Sequence, residues 1–241
     1  VWDEIAASAE NGALGPQPLY WKAQCERKLG RMKAALSDYA LAVRQSRAID
    51  TDTRDESDLL LEMNAYHGLG TVLIASADAE EDAALRAARS LASEACEPDG
   101  STLGLQQITR LAHACLDRAI GLRRHLRQTE NQVSGSRENI SFAYLRDDDF
   151  EGAFNNTVAV ERTGLFAWNE LMRALTAQAL GQADIEREAR RNVSMFTVGQ
   201  FNLCEIKSLL SDAHYRRAHA IIADEHPGFE ESVCRSTNSE L

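Results

Sequence analysis

Apolar residues recur along this chain every three or four positions, which is the spacing of one face of an α-helix. The longest such stretch runs from about 102 to 130, and its apolar face consists of Leu105, Ile108, Ala112, Cys115, Ala119, Leu122 and Leu126. No segment shows the convincing alternation of apolar and polar residues that a half-buried strand would have. The pattern therefore predicts an all-α protein in which residues 102–130 form a long central helix.

Glycines, prolines and clusters of polar residues divide the rest of the chain into further helices. We predict them at about 1–14, 18–29, 32–49, 56–76, 80–97, 137–146, 150–163, 167–180, 183–195 and 201–224. The polar loop at 50–58 should end in a helix N-cap, and Asp147, Asp148 and Asp149 should form a turn and N-cap before Phe150.

The segment NQVSGSREN, around Gly135, is the clearest internal break. We therefore expect helical hairpins and the long helix in residues 1–132, and further hairpins in 133–228, where helix 201–224 caps the open end of the stack. Residues 229–241 are predicted to be a flexible tail. The two parts are expected to form one continuous solenoid.

A small sequence pattern recurs at the predicted turns. Ala35, Tyr39 and Ala42 follow Gly30, and Phe150 with Ala153 repeats the same arrangement 118 residues further on. The turns around Asp148 and Gly181 lie 33 residues apart, close to the length of one helix pair. Small residues beside large ones let two antiparallel helices pack closely, so the pattern indicates helical hairpins that stack on one another.

These residues resemble tetratricopeptide repeats (TPRs), in which each repeat is a pair of antiparallel helices. The matches cover about half of the chain, at roughly 16–47, 66–95, 137–164 and around Gly181. The residues that carry them are Ala23, Gly30, Ala35, Tyr39 and Ala42, then Tyr66, Leu69, Gly70 and Ala84, then Tyr144, Phe150 and Ala153, and last Ala174 and Gly181. The resemblance implies a TPR-like α-solenoid, while another helical repeat or an unrelated bundle remain the alternatives.

In TPR proteins the partner usually lies in the concave groove formed by the first helices of successive pairs. By this resemblance the candidate groove residues are Gln24, Lys28, Asn139, Phe142, Arg146, Trp168 and Arg173. Each of them also has a simpler interpretation as a solvated or packing side chain. The resemblance implies a protein or peptide partner, and no cofactor is expected.

The net charge of −11 is concentrated in one stretch. Residues 51–100 hold twelve acidic side chains against three arginines, whereas residues 1–50 and 101–150 each hold six acidic against seven basic ones. A protein that binds nucleic acid needs a concentrated positive surface to displace counterions. The composition therefore argues against direct binding of nucleic acid.

Five cysteines form no CxxC motif and no even set. We expect them to be buried or solvated thiols, which suits a reducing compartment, and so we expect a cytoplasmic protein. The chain has no run of 18 apolar residues, so no membrane span is expected.

The sequence contains no catalytic motif and no metal-ligand spacing. Trp2, Trp21 and Trp168, with Tyr20 and Phe166, either line a ligand pocket or fill gaps between helix layers, and the second interpretation is favoured. The sequence therefore predicts a non-enzymatic scaffold that binds proteins or peptides. The alternative is a sensory or regulatory domain of a larger protein that responds to a small molecule or peptide. The identity of the partner and the oligomeric state do not follow from the sequence.

Overall fold

The structure, a computed structural model, describes residues 15–96, 108–126, 130–161 and 166–229. In these ranges the chain forms eleven α-helices and one short 3₁₀ helix, with no strand, which confirms the all-α prediction. The helices belong to two compact units, of which unit 1 holds the first five helices and unit 2 the other six. Over the same ranges, none of the helices combines the length and the apolar character needed to cross a membrane. The predicted helix at 1–14 and nearly all of the predicted tail lie outside the described residues.

Unit 1 consists of α1 Pro16–Lys28, α2 Met32–Arg47, α3 Glu56–Ala75, α4 Ala83–Cys96 and α5 Ile108–His125. Helices α1 and α2 form a hairpin, and α3 packs on α2. Beyond this point the order changes, because α4 packs mainly against α2 and α5 mainly against α3. The hairpin that the second TPR match expects from α3 and α4 therefore contributes little to the packing of unit 1.

Unit 2 consists of α6 Glu130–Arg146, α7 Phe150–Glu161, α8 Ala167–Ala179, α9 Ala183–Val193, the 3₁₀ helix Val198–Phe201, α10 Leu203–Leu209 and α11 Asp212–Glu225. From α6 to α9 each helix packs against the one before it, and α6 also contacts α8. Helix α11 covers part of α8 and α9. This succession places the first helices of two hairpins, α6 and α8, side by side.

The same turn joins the helices of three hairpins, α1–α2, α6–α7 and α8–α9. Gly30, Asp148 and Gly181 take the left-handed backbone conformation in these turns, with φ values of 74°, 56° and 69°. The residue after each of them donates its backbone N–H to the carbonyl five positions earlier, over 2.9, 3.0 and 2.9 Å. This is the hydrogen bond of a Schellman motif, which satisfies carbonyls that a helix end leaves open. The predicted turns are therefore confirmed at all three positions.

Close helix contacts in unit 1 depend on glycine. A Cβ atom added at Gly68 would lie 2.5 Å from the ring of Tyr39, which is fully buried on α2. A Cβ added at Gly70 would lie 2.7 Å from the side chain of Leu116 on α5. On two faces of α3, the absence of a side chain thus allows a neighbouring helix to pack closely. Protein interiors have few gaps that could accommodate an added atom.

Two predictions about helix ends are wrong. Helix α6 runs through Gly135, where the sequence suggested a break, because tertiary packing overrides the modest helix penalty of one glycine. The predicted long helix ends at His125, after a last turn with the cations Arg123 and Arg124 that favour a helix C-terminus. The start of that predicted helix, 102–107, lies outside the described residues.

The predicted capping helix 201–224 is divided in two. Leu210 is extended, with φ −101° and ψ 155°, and so ends α10. Ser211 then begins α11, because its hydroxyl oxygen accepts the backbone N–H of His214. Apolar spacing does not reveal this boundary, since it continues across both helices.

The prediction that the cysteines are thiols is wrong for three of them. Cys96 at the end of α4 and Cys115 in α5 form a disulfide, with their Cα atoms 5.1 Å apart. Cys204 is also disulfide-bonded. Cys25 is a free, exposed thiol. The spacing of cysteines along the chain does not reveal which of them folding brings together, and this is why the sequence alone led to the wrong expectation.

Candidate functional site

A cavity of about 520 Å³ opens in unit 1 between α1 and the first half of α3. We call it the α1–α3 cleft, and its walls include Tyr20, Trp21, Asp58, Leu60, Leu61 and Asn64. Proline suits the first turn of a helix because its nitrogen has no hydrogen to leave unsatisfied there, and Pro16 and Pro18 fix the start of α1 at the edge of the cleft. The cleft thus lies between the first helix of the α1–α2 hairpin and the helix that follows that hairpin.

Trp21 is the most exposed aromatic feature of the cleft. Its side chain is 53% exposed, although large aromatic residues are usually well buried. Beside it, Tyr20 is held from two directions, since its hydroxyl accepts a hydrogen bond of 2.8 Å from Gln24 and its ring lies 6.1 Å from that of Tyr39. The cleft therefore presents a fixed tyrosine and an open tryptophan next to each other.

The described lining residues of the cleft carry one negative charge, that of Asp58, and include no lysine or arginine. Asp55 and Asp58 form a capping box at the start of α3, in which each carboxylate accepts the other residue's backbone N–H. The hydroxyl of Ser57 also donates to Asp55, and these hydrogen bonds lower the pKa of that carboxyl. The cleft thus combines apolar lining residues with one carboxylate that is held in place.

A second cavity, of about 440 Å³, lies in unit 2. We call it the aromatic cavity, and its lining residues are Glu138, Phe166, Ala167, Trp168, Phe196 and Gln200. They come from α6, from the start of α8, from the loop after α9 and from the 3₁₀ helix. Three aromatic side chains and one carboxyl group thus meet in one open space.

Glu138 is the unusual residue of the aromatic cavity. Its Oε1 atom is buried and has no hydrogen-bond partner in the described part of the chain. Burial disfavours a charged carboxylate, and it raises the pKa of Glu138 to about 7. A buried carboxyl oxygen without a hydrogen-bond partner has a free-energy cost, which a ligand that interacts with Oε1 would reduce.

Two of the aromatic walls are supported from behind. The ring of Trp168 meets that of Phe142 edge to face at 5.6 Å, and Phe142 is fully buried. Phe196 packs in the same manner on the buried Phe201, with ring centroids 6.1 Å apart. Both walls are therefore fixed by core contacts, while Trp168 and Phe196 themselves are only half-buried.

Of the two predicted groove residues in unit 1, one adjoins the α1–α3 cleft and the other does not. Gln24 is half-buried and adjoins the α1–α3 cleft through its hydrogen bond to Tyr20. Lys28 is exposed in the last turn of α1, whereas the cleft is formed by the first half of that helix. One of the two predicted residues therefore supports the cleft from its edge.

Of the predicted groove residues in unit 2, one lines the aromatic cavity and the others do not. Trp168 lines the aromatic cavity, Phe142 lies behind it in the core, and Asn139, next to Glu138 in sequence, is buried. The guanidinium of Arg146 donates to the backbone carbonyls of Ser208 and Leu209, each at 3.0 Å.

Arg173, the remaining predicted residue, is buried in an ionic network. It pairs with Glu188 at 3.2 Å and lies 3.5 Å from Glu170, which also accepts a hydrogen bond of 3.0 Å from Asn192. Glu170 is fully buried. A buried carboxylate requires such partners. Arg173 therefore serves the internal ionic network, and this limits its contact with a ligand.

A third cavity in unit 1, of about 370 Å³, is lined by charged residues including Arg47, Glu62 and Arg118. Glu62 is buried and forms an ion pair with Arg54. Arg47 donates to the carbonyl of Ala95 at the end of α4. The Arg47 contact thus links α2 to α4, and the Glu62–Arg54 pair links α3 to the loop before it.

Ser211, His214 and Asp148 form a chain of hydrogen bonds of the kind found in hydrolases. Ser211 Oγ lies 2.9 Å from His214 Nδ1, and His214 Nε2 lies 3.2 Å from Asp148 Oδ1. The same serine oxygen caps α11, however, and burial lowers the pKa of the buried His214. The serine oxygen therefore has a structural role as the N-cap of α11.

Sequence reasoning missed several residues of these cavities. It assigned Trp21 to packing between layers, and it did not single out Glu138, Phe196 or Leu61. An exposed tryptophan and a buried one look alike in a sequence. Glu138 follows an arginine on a helix, which is the pattern of a solvated face.

No protein-family model, curated protein or solved structure matches this chain. The described residues also contain no group of three or more histidine, cysteine, aspartate or glutamate side chains placed to hold a metal ion. What the two cavities can bind must therefore be argued from their own chemistry.

Proposed function

We propose that this chain is a non-enzymatic, TPR-like scaffold that binds a protein or peptide segment in the α1–α3 cleft. The single observation that carries the proposal is Trp21, a large aromatic side chain left half exposed at the edge of an apolar cleft. Aromatic residues of this kind are enriched at the centres of protein interfaces. The repeated turns of the hairpins support the TPR-like part of the proposal.

The chemistry of the cleft suggests what the segment looks like. Leu60 and Leu61 offer a surface for an apolar side chain, and Trp21 can cover it. Asp58 and Asn64 can accept hydrogen bonds from the segment's backbone or from a basic side chain. We therefore propose a peptide with an apolar anchor and a neighbouring lysine or arginine residue, whose charge complements that of Asp58.

The test is selection from a random peptide library on the immobilised chain, followed by measurement of each selected peptide on variants. Trp21→Ala removes the exposed ring and should weaken binding by at least about tenfold, as truncation of an interface hot spot does. Leu29→Ala is the matched control, because Leu29 is 50% exposed in the same unit and does not line the cleft. The proposal fails if no peptide is enriched, or if the selected peptides bind Trp21→Ala as well as the original chain.

A second candidate function is that of a sensory or regulatory domain in a larger protein. The aromatic cavity favours it, because its walls come from four separate elements of unit 2. A ligand that touches all four would favour one packing arrangement of these elements over others. Slower amide hydrogen exchange across α6 and α8 on addition of a ligand would support this candidate, and unchanged exchange on binding would exclude it.

The disulfide bears on the compartment in which the protein works. We expected the cytoplasm on the assumption of free thiols, but disulfides persist mainly in oxidising compartments. The Cys96–Cys115 bond therefore favours an oxidising compartment over the cytoplasm. Alkylation of the protein in its native cells, followed by mass measurement, tests this, and reduced Cys96 and Cys115 would restore the cytoplasmic proposal.

A further inference from the structure

The lining of the aromatic cavity contains one carboxyl group and three aromatic rings. The described lining residues include no lysine, arginine or histidine. The faces of aromatic rings carry partial negative charge and attract cations, and a carboxylate does so more strongly. All four side chains therefore favour the same kind of ligand, a positively charged one.

Glu138 supplies the strongest reason to expect such a ligand. Its buried Oε1 has no hydrogen-bond partner among the described residues. A bound cation would offset the free-energy cost of that burial, because it would stabilise the ionised form of the carboxyl. Burial already raises the pKa of Glu138 to about 7, so the carboxyl can ionise near neutral pH when a cation is present.

The type of cation follows from the hydrogen bonds that the cavity can offer. A metal ion such as Ca²⁺ requires six or more oxygen ligands, which three aromatic rings cannot provide. A primary ammonium donates three hydrogen bonds and is strongly hydrated, so it needs several acceptors. Besides Glu138, the other side-chain acceptor in the lining is Gln200, whose Oε1 already accepts from the backbone N–H of Thr197 at 2.7 Å.

We propose that the aromatic cavity binds an alkylated organic ammonium group, in which methyl groups contact the aromatic rings and the positive charge is balanced by Glu138. A quaternary ammonium, the fully alkylated form, has no N–H that needs an acceptor, so one carboxylate is sufficient. The cavity volume of about 440 Å³ falls within the range of roughly 300–1,000 Å³ that small-molecule sites occupy. The ammonium can belong to a free molecule such as choline or to a trimethylated lysine side chain.

This inference rests on the cavity that supports the second candidate function, but it concerns the chemistry of the ligand and not its effect on the fold. It is also independent of the peptide proposed for the α1–α3 cleft, because that cleft is built from other helices.

The test follows the indole N–H resonance of Trp168 by NMR, assigned by its loss in Trp168→Phe. The original chain is titrated with choline, with a trimethyllysine peptide, with the same peptide carrying unmodified lysine, and with 3,3-dimethylbutan-1-ol. The alcohol has the shape of choline without its charge. Choline or the trimethyllysine peptide should shift the resonance to saturation, and the alcohol should bind at least about tenfold more weakly if charge matters.

Variants of two glutamates provide the matched comparison. Glu138→Gln keeps the shape of the side chain and removes the charge, so it should weaken ammonium binding by about tenfold. Glu151→Gln removes an equal charge from an exposed position on α7 and should leave the affinity unchanged. A circular dichroism melting curve confirms that both variants fold.

The proposal is overturned if neither ammonium ligand shifts the resonance at its highest soluble concentration. It is also overturned if the neutral alcohol binds as tightly, or if Glu138→Gln binds choline unchanged. Tighter binding of the trimethyllysine peptide than of choline identifies a peptide source, and the reverse identifies a free small molecule. Binding without any change in amide hydrogen exchange would uphold the ammonium site and exclude the sensory function.

Discussion

Gly30 and Gly181 adopt the same left-handed backbone conformation, with φ values of 74° and 69°, at the turns of two different helical hairpins. Each ends the first helix of its pair, and the following residue closes the turn with a hydrogen bond of 2.9 Å. Residues with a Cβ rarely adopt this conformation, because the Cβ atom approaches the following carbonyl oxygen. The requirement for glycine at position 181 therefore comes from the backbone and not from a neighbouring side chain, because open space surrounds that position.

Two glycine-to-alanine substitutions should therefore change the free energy of unfolding in opposite directions. Gly181→Ala should lower the free energy of unfolding by about 1–2 kcal/mol, although open space surrounds the added methyl group. Gly135→Ala should raise it by about 0.5–1 kcal/mol, since Gly135 lies inside α6 with open space around it and alanine favours a helix. Urea unfolding measures both. A stabilising Gly181→Ala would show that the turn is not constrained in this way.

Gly68 and Tyr39 offer a test of the close contact between α2 and α3. Gly68→Ala would place a methyl group 2.5 Å from the buried ring and should destabilise unit 1 by about 1–3 kcal/mol. Tyr39→Leu removes the ring. Gly68→Ala should therefore lower the free energy of unfolding much less in the Tyr39→Leu background than in the original chain. Additive effects in this double-mutant cycle would mean that the two residues are not in contact.

The disulfide should contribute measurably to the stability of unit 1. Cys96 and Cys115 are 19 residues apart, and a loop of this size gives a stabilisation of about 3 kcal/mol when closed. The double variant Cys96→Ala and Cys115→Ala should therefore lose about 2–4 kcal/mol relative to the oxidised protein. Chemical denaturation without reducing agent measures the difference, and reaction of all cysteines of the folded protein with a thiol reagent would rule out the bond.

The raised pKa of Glu138 predicts a pH-dependent stability. Its pKa is about 7 in the folded protein and near its usual value in the unfolded chain, so folding favours the protonated form. Stability from this group is therefore present at about pH 4 and is lost as the pH rises through 7. The free energy of unfolding of Glu138→Gln, measured relative to that of the original chain, should therefore rise by on the order of 2–3 kcal/mol between pH 4 and pH 8.

The free energy of unfolding of both proteins at several pH values measures this gain. Glu151→Gln is the control and should show no comparable trend, because its carboxyl is exposed. A constant difference between Glu138→Gln and the original chain across the range would mean that the carboxyl is not buried.

The sequence predicted the helices and hairpin turns of this protein well. Residues such as Gly30 and Gly181 determine local backbone geometry, and an apolar face every three or four positions determines a helix. The sequence did not predict that α4 packs on α2 and α5 on α3, because this choice depends on contacts far apart in the chain. For the same reason the bond between Cys96 and Cys115 was missed.

The candidate sites were predicted only in part. Trp168 was expected in a groove and lines the aromatic cavity, whereas the expected groove residues Phe142 and Arg173 are buried by core and ionic contacts. Glu138 was not expected at all. Whether a helical side chain faces a cavity, the core or water depends on how neighbouring helices pack, and a periodic pattern does not contain that information.

The measurement that tests the proposed function most directly is a chemical-shift map of a selected peptide on the isotopically labelled chain. The account predicts that the largest shifts fall on the α1–α3 cleft, with the indole N–H of Trp21 among them, and that they disappear when Trp21 is replaced by alanine. Saturable shifts confined to other helices, with the Trp21 resonance unmoved, would contradict it.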